Sequence, residues 1–418
     1  MEKFLIYGGK ELKGKLKIKA AKNAVLPILA GSILCKGKVV LHNVPNLTDI
    51  TNMCKILRVL GCKVIRKNGT ISVDSSGINR FDLPIELTNK LRASIFLLGP
   101  LVALFKKAKM SFPGGCKIGG RPIDIHLLGL EAFGVEVNEK HGFIYCDGKK
   151  MKASEFYLRF PSVGATENLM MASVFNKGTT ILYNCAKEPE IVDLQNFLNQ
   201  MGAKIEGAGS CQIKITGVKK LSGIDYTPIA DRIVVGTYIL ATLITGGNVE
   251  LSNTNPEHIM SLINKFDGND CKISCHNDKI LVQSSGRLKS VPLIETNPYP
   301  DFPTDMQSQM LSLQAVSDGT SVLIENMFES RFRNVPELIK MGADIIVKGN
   351  TAIVSGKNAL YGADVEATDL RAGASLVLAG LCAKGYTTIS EIEHIDRGYD
   401  HIERDLQKLG AAIKRIKT

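Results

Sequence analysis

The stretch RVLGCKV, residues 58–64, reads as the end of a helix, a glycine and the start of a strand. Gly61 decides that reading, because glycine takes the left-handed backbone that closes a helix without a Cβ penalty. Five further stretches have the same form: EAFGVEV around Gly134, NQMGAKI around Gly202, INKFDGNDCKI around Gly268, IKMGADI around Gly342 and QKLGAAI around Gly410. These glycines lie 73, 68, 66, 74 and 68 residues apart, so the 418-residue chain reads as six units of about 70.

Upstream of most of these glycines lies a β-branched strand ending in a turn, as in GKVVLHNVP, GTTILYNCA, GGNVELSNT and GTSVLIENM. Before each strand comes a long, mostly apolar helix, from AAKNAVLPILAGSIL in the first unit to LRAGASLVLAGLCA in the sixth. A helix apolar nearly all round belongs in a core, so sheets are expected to cover these helices from outside. The period is too long for stacked two-helix repeats. Six βαβ-type units fit an α/β (α+β) architecture of two three-unit domains, with the midpoint at SGIDYTPIAD, residues 222–231. Two such domains are expected to enclose a ligand cleft.

Composition narrows the class. Hydrophobic residues at 44% and charged residues at 22% suit a globular chain and exclude a disordered or collagen-like one. Lys+Arg number 52 against 41 Asp+Glu, a net charge of +11. Such a balance fits a nucleic acid, an anionic surface or a small polyanionic substrate, or simply a solvated basic surface. No block of like charges marks a basic arm. The ten cysteines form no CxxC pair, and Cys271, Cys275 and His276 have no second pair to complete a zinc set. The longest apolar runs, Ala93–Phe105 and Ile233–Thr245, fall well short of the roughly 20 residues that span a bilayer. With no secretory signal in MEKFLIYGGKELKGK, a cytoplasmic protein with reduced cysteines is expected.

Chemistry concentrates where the apolar helices begin. Lys22 and Asn23 open the first, Arg92 the second and Arg232 the fourth; Asp305 precedes the fifth, and Asp369 and Arg371 bracket the start of the sixth. The third begins at Ser162-Val163-Gly164. Helix N-termini offer free N–H groups and a positive dipole end, so a basic residue there implies an anion, a solvent path or an acidic neighbour such as Asp231 beside Arg232. The sharpest local signal is PGGCKIGGRPIDIH, residues 113–126. Its four glycines make a flexible loop after a strand, and Lys117 and Arg121 surround Cys116 with charge that favours a reactive thiol.

The run PGGCxIGxRPxDxH is similar to the catalytic loop of the UDP-N-acetylglucosamine enolpyruvyl transferases (1-carboxyvinyltransferases). The similarity continues through KAAKNAVLPILAG, LRASIFLLGP, PSVGATEN, DRIVVGTY, FPTDMQSQ, ENMFESRF, ATDLRAGASLVLAG and HIDRGYDHIE, along essentially the whole chain. The resemblance implies the enolpyruvyl-transferase fold, two inside-out α/β domains of three repeats with the active site between them. Residues 22–229, with the Cys loop at about 111–122, would form one domain, and 1–21 with 230–418 the other. It implies transfer of the enolpyruvyl group of phosphoenolpyruvate to the 3′-hydroxyl of UDP-N-acetylglucosamine with release of phosphate, opening peptidoglycan precursor synthesis.

By the same resemblance Cys116 is the general acid and forms a pyruvate-type adduct, Asp305 is the base, and Lys22 and Arg397 also act in catalysis. Lys22, Arg121 and Arg397 would hold the phosphate of phosphoenolpyruvate, Arg331 and Arg371 its carboxylate, and Asn23 the intermediate. Arg92, Arg121, Pro122, Ile123, Asp124, Ile125, Ser162, Val163, Gly164, Thr304, Asp305 and Met327 would contact the nucleotide sugar. No metal, cofactor, nucleic acid or membrane partner is implied, and a monomer is expected. Lys117 stands where the family carries a small residue, and Phe160, beside Arg159, where some members carry a basic one. The alternatives are the sister enzyme acting on shikimate 3-phosphate, which lacks the cysteine loop, and a basic nucleic-acid binder. The latter needs aromatics beside its cations, and aromatics are only 6% of the chain.

Overall fold

A computed structural model describes residues 2–114 and 122–417. Its described residues divide into two compact units, one running from Ala20 to Ile229, the other taking the residues up to Lys19 and those from Ala230 onward. Each unit has its own buried apolar cluster.

The six glycines that anchor the repeat all have left-handed backbone, with φ between 78° and 106°. Upstream, the six core helices are buried along most of their length. They are Lys22–Gly31, Leu98–Phe105, Val163–Ser173, Arg232–Thr245, Gln307–Gln314 and Leu370–Cys382. The second and fifth are preceded by tighter turns at Arg92–Leu97 and Thr304–Met306. The fifth departs from the apolar expectation. Gln307, Ser308, Gln309, Ser312 and Gln314 are all at most 1% exposed. Partners make part of that burial tolerable: Gln314 Oε1 accepts from Val291 N (2.9 Å) and Ser321 Oγ (2.7 Å), and Ser312 Oγ donates to Ser375 O (2.8 Å).

Six sheets follow one plan. The strand after each core helix lies between a parallel edge strand and an antiparallel neighbour, which pairs in turn with the other edge. The fifth sheet shows it within one repeat: Leu293–Thr296 is parallel to Thr320–Glu325, which is antiparallel to Thr351–Ser355, which pairs with Asp344–Lys348. In the second sheet the parallel edge shrinks to one bridge, Asp82 to Lys109.

The plan also explains why the first residues belong with the last. Glu2–Tyr7 pairs antiparallel with both Tyr386–Ser390 and Ala412–Lys417, taking the hairpin position of the sixth sheet. Lys13–Lys17 supplies the parallel edge of the fourth sheet against Asn248–Ser252. In the other unit the first sheet borrows Asp225–Tyr226 for the same purpose. Each of these three sheets thereby gains a strand from a distant part of the chain.

Candidate active site

The densest polar cluster sits where the fifth and sixth core helices begin. Asp305 lies in the turn Thr304–Met306, Arg331 opens the turn Arg331–Asn334, and Arg371 is in the first turn of Leu370–Cys382. That helix is capped by Asp369, whose Oδ1 accepts from Arg371 N (2.9 Å) and Ala372 N (3.1 Å). Arg331 donates to one carboxylate oxygen of Asp305, and Arg371 donates to the other at 3.0 Å. Arg331 also donates through Nε to Thr304 O (3.3 Å) and lies 5.5 Å from the Phe328 ring.

Arg331 and Arg371 are 2% and 5% exposed, whereas the Asp305 side chain is 28% exposed. Two buried guanidiniums thus face one partly open carboxylate.

Arg371 is fixed from behind. Its guanidinium donates to the Tyr399 hydroxyl (3.4 Å), which also receives Gln309 Nε2 (3.3 Å) and lies 2.8 Å from Thr237 Oγ1. Thr237 Oγ1 donates its own hydrogen bond to Ile233 O (2.8 Å), which leaves its oxygen able to accept from the Tyr399 hydroxyl. Burial opposes charge on Arg371, but Asp305, Tyr399 and Asp231 more than offset it and raise its pKa above the ordinary guanidinium value.

Glu325 gathers the remaining groups of this unit. Thr304 Oγ1 donates to both its oxygens at 3.0 Å, and Met327 N and Phe328 N donate to one of them at 2.9 and 3.0 Å. Thr304, Asp305, Met327, Arg331 and Arg371 therefore form one connected cluster. Arg397 ends the turn Ile392–Arg397, two residues before Tyr399. Its neighbour Asp396 is gripped by both terminal nitrogens of Arg415, at 2.6 and 2.9 Å. Arg232 lies with its guanidinium 5.4 Å from the Tyr299 ring, while Asp231 caps the helix through Ile233 N and Val234 N.

The unit from Ala20 to Ile229 carries the other candidates. Lys22 and Asn23, half-buried, open the first core helix, and Lys22 Nζ is 3.4 Å from Asp49 Oδ2. Arg92 donates to Pro113 O (3.3 Å). Asp124 is ion-paired with Arg159; Pro122 is exposed, Ile123 buried and Ile125 half-buried. Ser162 caps the third core helix by accepting from Ala165 N (3.3 Å), and Val163 and Gly164 form its first turn. A Cβ on Gly164 would lie 3.3 Å from the His126 ring. His126 Nδ1 faces Asn168 Nδ2 (3.0 Å), and Asn168 Oδ1 accepts from Gly99 N (2.7 Å). Cys116 and Arg121 lie outside the described residues.

Reading from sequence passed over Tyr399, Thr237, Gln309 and Glu325, which organise the cluster. Tyr399 lies within HIDRGYDHIE, but its hydroxyl acquires meaning only once Thr237 is beside it. Among the described residues, no group of three or more His, Cys, Asp or Glu is arranged to hold a metal. No described helix is long and apolar enough to cross a membrane.

The fold and cluster together define an enolpyruvyl transferase. The enolpyruvyl transferase NikO from Streptomyces tendae superposes with a TM-score of 0.90 at 24% identity, over 100% of this chain and 99% of that one. An EPSP synthase from Acinetobacter baumannii gives 0.76 at 18% identity over the whole of both chains. The chain belongs to the EPSP synthase (3-phosphoshikimate 1-carboxyvinyltransferase) family, which matches residues 6–406. Within it, the chain is 48% identical over 416 residues to UDP-N-acetylglucosamine 1-carboxyvinyltransferase 2 of Caldanaerobacter subterraneus subsp. tengcongensis, covering 100% of both. It is 49% identical over 418 residues to the protein of the same name from Carboxydothermus hydrogenoformans, again covering 100% of both.

Proposed function

We propose that this chain transfers the enolpyruvyl group of phosphoenolpyruvate to the 3′-hydroxyl of UDP-N-acetylglucosamine and releases phosphate. The single observation that carries the reading is Asp305, held between two buried arginines, on a chain whose full-length relatives carry that activity in their names. The reaction would open peptidoglycan precursor synthesis in the cytoplasm, with residues 22–229 and 1–21 plus 230–418 as the enzyme's two domains.

The enol phosphate of phosphoenolpyruvate is a poor electrophile until C3 gains a proton. Cys116 supplies that proton, and the electron pair of the C2–C3 double bond takes it. The sugar oxygen then bonds to C2 while Asp305 accepts the hydroxyl proton. The product of this step is a phospholactoyl ketal. In the second step the Cys116 thiolate takes back a C3 proton, the freed C–H electron pair restores the C2–C3 double bond, and the C2–O bond to phosphate breaks with phosphate as leaving group.

Lys22, Arg121 and Arg397 hold the phosphate through both steps; Arg331 and Arg371 orient Asp305 and take the pyruvyl carboxylate. Asn23 hydrogen-bonds the ketal. Fixed cations aimed at developing negative charge are the main source of rate in such a site. Arg92, the 121–125 stretch, Ser162–Gly164, Thr304 and Met327 hold the nucleotide sugar.

The family description favours a second reading, with shikimate 3-phosphate as acceptor. Phosphate release from phosphoenolpyruvate, measured with each acceptor in turn, separates the two. Release with the nucleotide sugar alone is expected. Release with shikimate 3-phosphate alone, or with neither, overturns the proposal.

A further inference from the structure

Because the six sheets repeat one plan, the same outward-facing row of side chains can be compared among them. In the fourth sheet the row reads Lys15, Glu250, Leu281, Ser274, and in the sixth Asp364, Thr388, Leu5, Lys414. The corresponding rows of the first, second and third sheets carry Asp225, Lys109 and Glu155. The fifth sheet breaks the pattern. Leu293 pairs with Val322, Val322 with Ile353, and Ile353 with Ile346, an apolar row across all four strands. Leu293, Ile353 and Ile346 are 47%, 44% and 64% exposed. Solvent-facing strands ordinarily carry charge that discourages pairing with other molecules, and here that charge is missing from the centre of the face.

Charge returns in the next row, with opposite signs at opposite edges. Glu295 lies on one edge strand and Lys348 on the other, with Ile324 and Thr351 between them. Both charged residues are exposed. A two-fold axis parallel to the strands reverses strand order while keeping position along each strand. It therefore sets Glu295 of one copy against Lys348 of a second copy, twice. It also lays Leu293 over the partner copy's Ile346, and Val322 over its Ile353.

The same operation brings the hairpin tip at Lys348-Gly349-Asn350 over an open depression of about 540 Å³ beside the Glu295 edge. Met260, Lys265 and Asp301 help line it, and Met260 is itself an exposed apolar side chain. A protruding tip and a hollow related by one symmetry operation are what an isologous contact requires.

We propose that the outer face of the fifth sheet is a self-association surface, through which two copies of this chain pair about a two-fold axis parallel to its strands. The sheets pack face to face with strand directions within about 30°. The footprint of four strands and five residues is on the order of 300 Å² per copy from strand spacing and rise, below the roughly 800 Å² of a standard interface. Association is accordingly weak and concentration-dependent. It involves none of the candidate active-site residues and stands independently of the functional reading.

Sedimentation velocity over a concentration series tests it. The wild-type mass is expected to climb from one chain toward two. Ile346→Asp is expected to stay monomeric while retaining wild-type phosphate release, which reports that it folds. Glu295→Lys and Lys348→Glu are each expected to weaken the dimer about tenfold, since each creates two like-charge contacts. The double variant Glu295→Lys/Lys348→Glu restores opposite charges and is expected to recover wild-type association. A wild-type chain that stays monomeric at its highest soluble concentration overturns the proposal. So does a dimer that survives Ile346→Asp, or a double variant no tighter than either single one.

Discussion

The unit from Ala20 to Ile229 and the unit from Ala230 onward share three repeats, one sheet plan and a buried helix in each repeat, yet among the described residues the buried arginines all belong to the second. Both units bury acids, and in the first burial raises the pKa of two of them. Glu167 is 0% exposed on the third core helix, and neither of its oxygens meets a hydrogen-bond partner among the described residues. Burial, with Glu190 and Glu188 nearby, pushes its carboxyl well above the ordinary range. Asp193 is pushed up to about 6, mainly by burial, although Tyr226 donates to it at 2.6 Å. The second unit also buries arginines: Arg331 and Arg371 pair with Asp305, and the half-buried Arg415 pairs with Asp396 and Glu403.

Side-chain chemistry accounts for the contrast. A buried carboxyl escapes its desolvation cost by keeping a proton, whereas a guanidinium has no neutral form to fall back on. The second unit therefore holds oriented cationic charge, and in the first a buried acid such as Glu167 is held neutral but still polar.

The largest effect is expected where pairing and chemistry coincide. Asp305→Ala leaves two buried guanidiniums without their shared carboxylate, a loss of about 3–5 kcal/mol by denaturant unfolding. Asp305→Asn keeps the shape and removes the base, so turnover should fall roughly 10²–10⁴-fold in the phosphate-release assay. A variant with near-normal turnover would break the contrast between the units.

Next comes Tyr399→Phe, which removes the hydroxyl shared by Arg371, Gln309 and Thr237. Unsatisfied buried polar groups cost about 1–3 kcal/mol. The midpoint of denaturant unfolding should shift by that amount, with kcat lowered more than KM if Arg371 is held for the transition state.

Glu167→Gln sharpens the comparison from the other side. The folded carboxyl titrates above its unfolded value of 4.5, so the stability it contributes is complete below that pH. That stability is lost as pH rises through the raised folded value. The wild-type melting temperature should fall across this window, and the glutamine variant should flatten the decline. An unchanged pH profile would mean that Glu167 is not held neutral.

The smallest effect belongs to the scaffold both units share. Gly202 has φ of 106° and open space where a Cβ would stand, and Gly410 has φ of 95° with only ordinary contact there. Alanine at either should cost about 1–2 kcal/mol of backbone strain, equally in both units. A marked inequality in urea unfolding would show that the repeats are not equivalent.

What sequence made legible follows from distance along the chain. The six glycines are local signals, each read from a few neighbours, and all six take the backbone expected of them. The positions of Asp305 and Arg371 were readable as helix starts, but their ion pair joins residues 66 apart. The Tyr399–Thr237 contact spans 162 residues and needs two core helices already packed. The polar fifth helix misled for the same reason, since Ser321 and Val291 satisfy Gln314 only in three dimensions. Cys116 and Arg121, the sharpest motif in the sequence, fall outside the described residues.

The most direct measurement runs the reaction of phosphoenolpyruvate and UDP-N-acetylglucosamine in deuterium oxide and examines the product by proton NMR. Protonation of C3 creates a methyl group, and its later loss of one hydrogen leaves deuterium on the vinyl carbon. A 3′-enolpyruvyl nucleotide sugar with deuterium at its vinyl position is the expected result. No sugar product, or one whose vinyl carbon carries only protium, would contradict addition and elimination through the ketal.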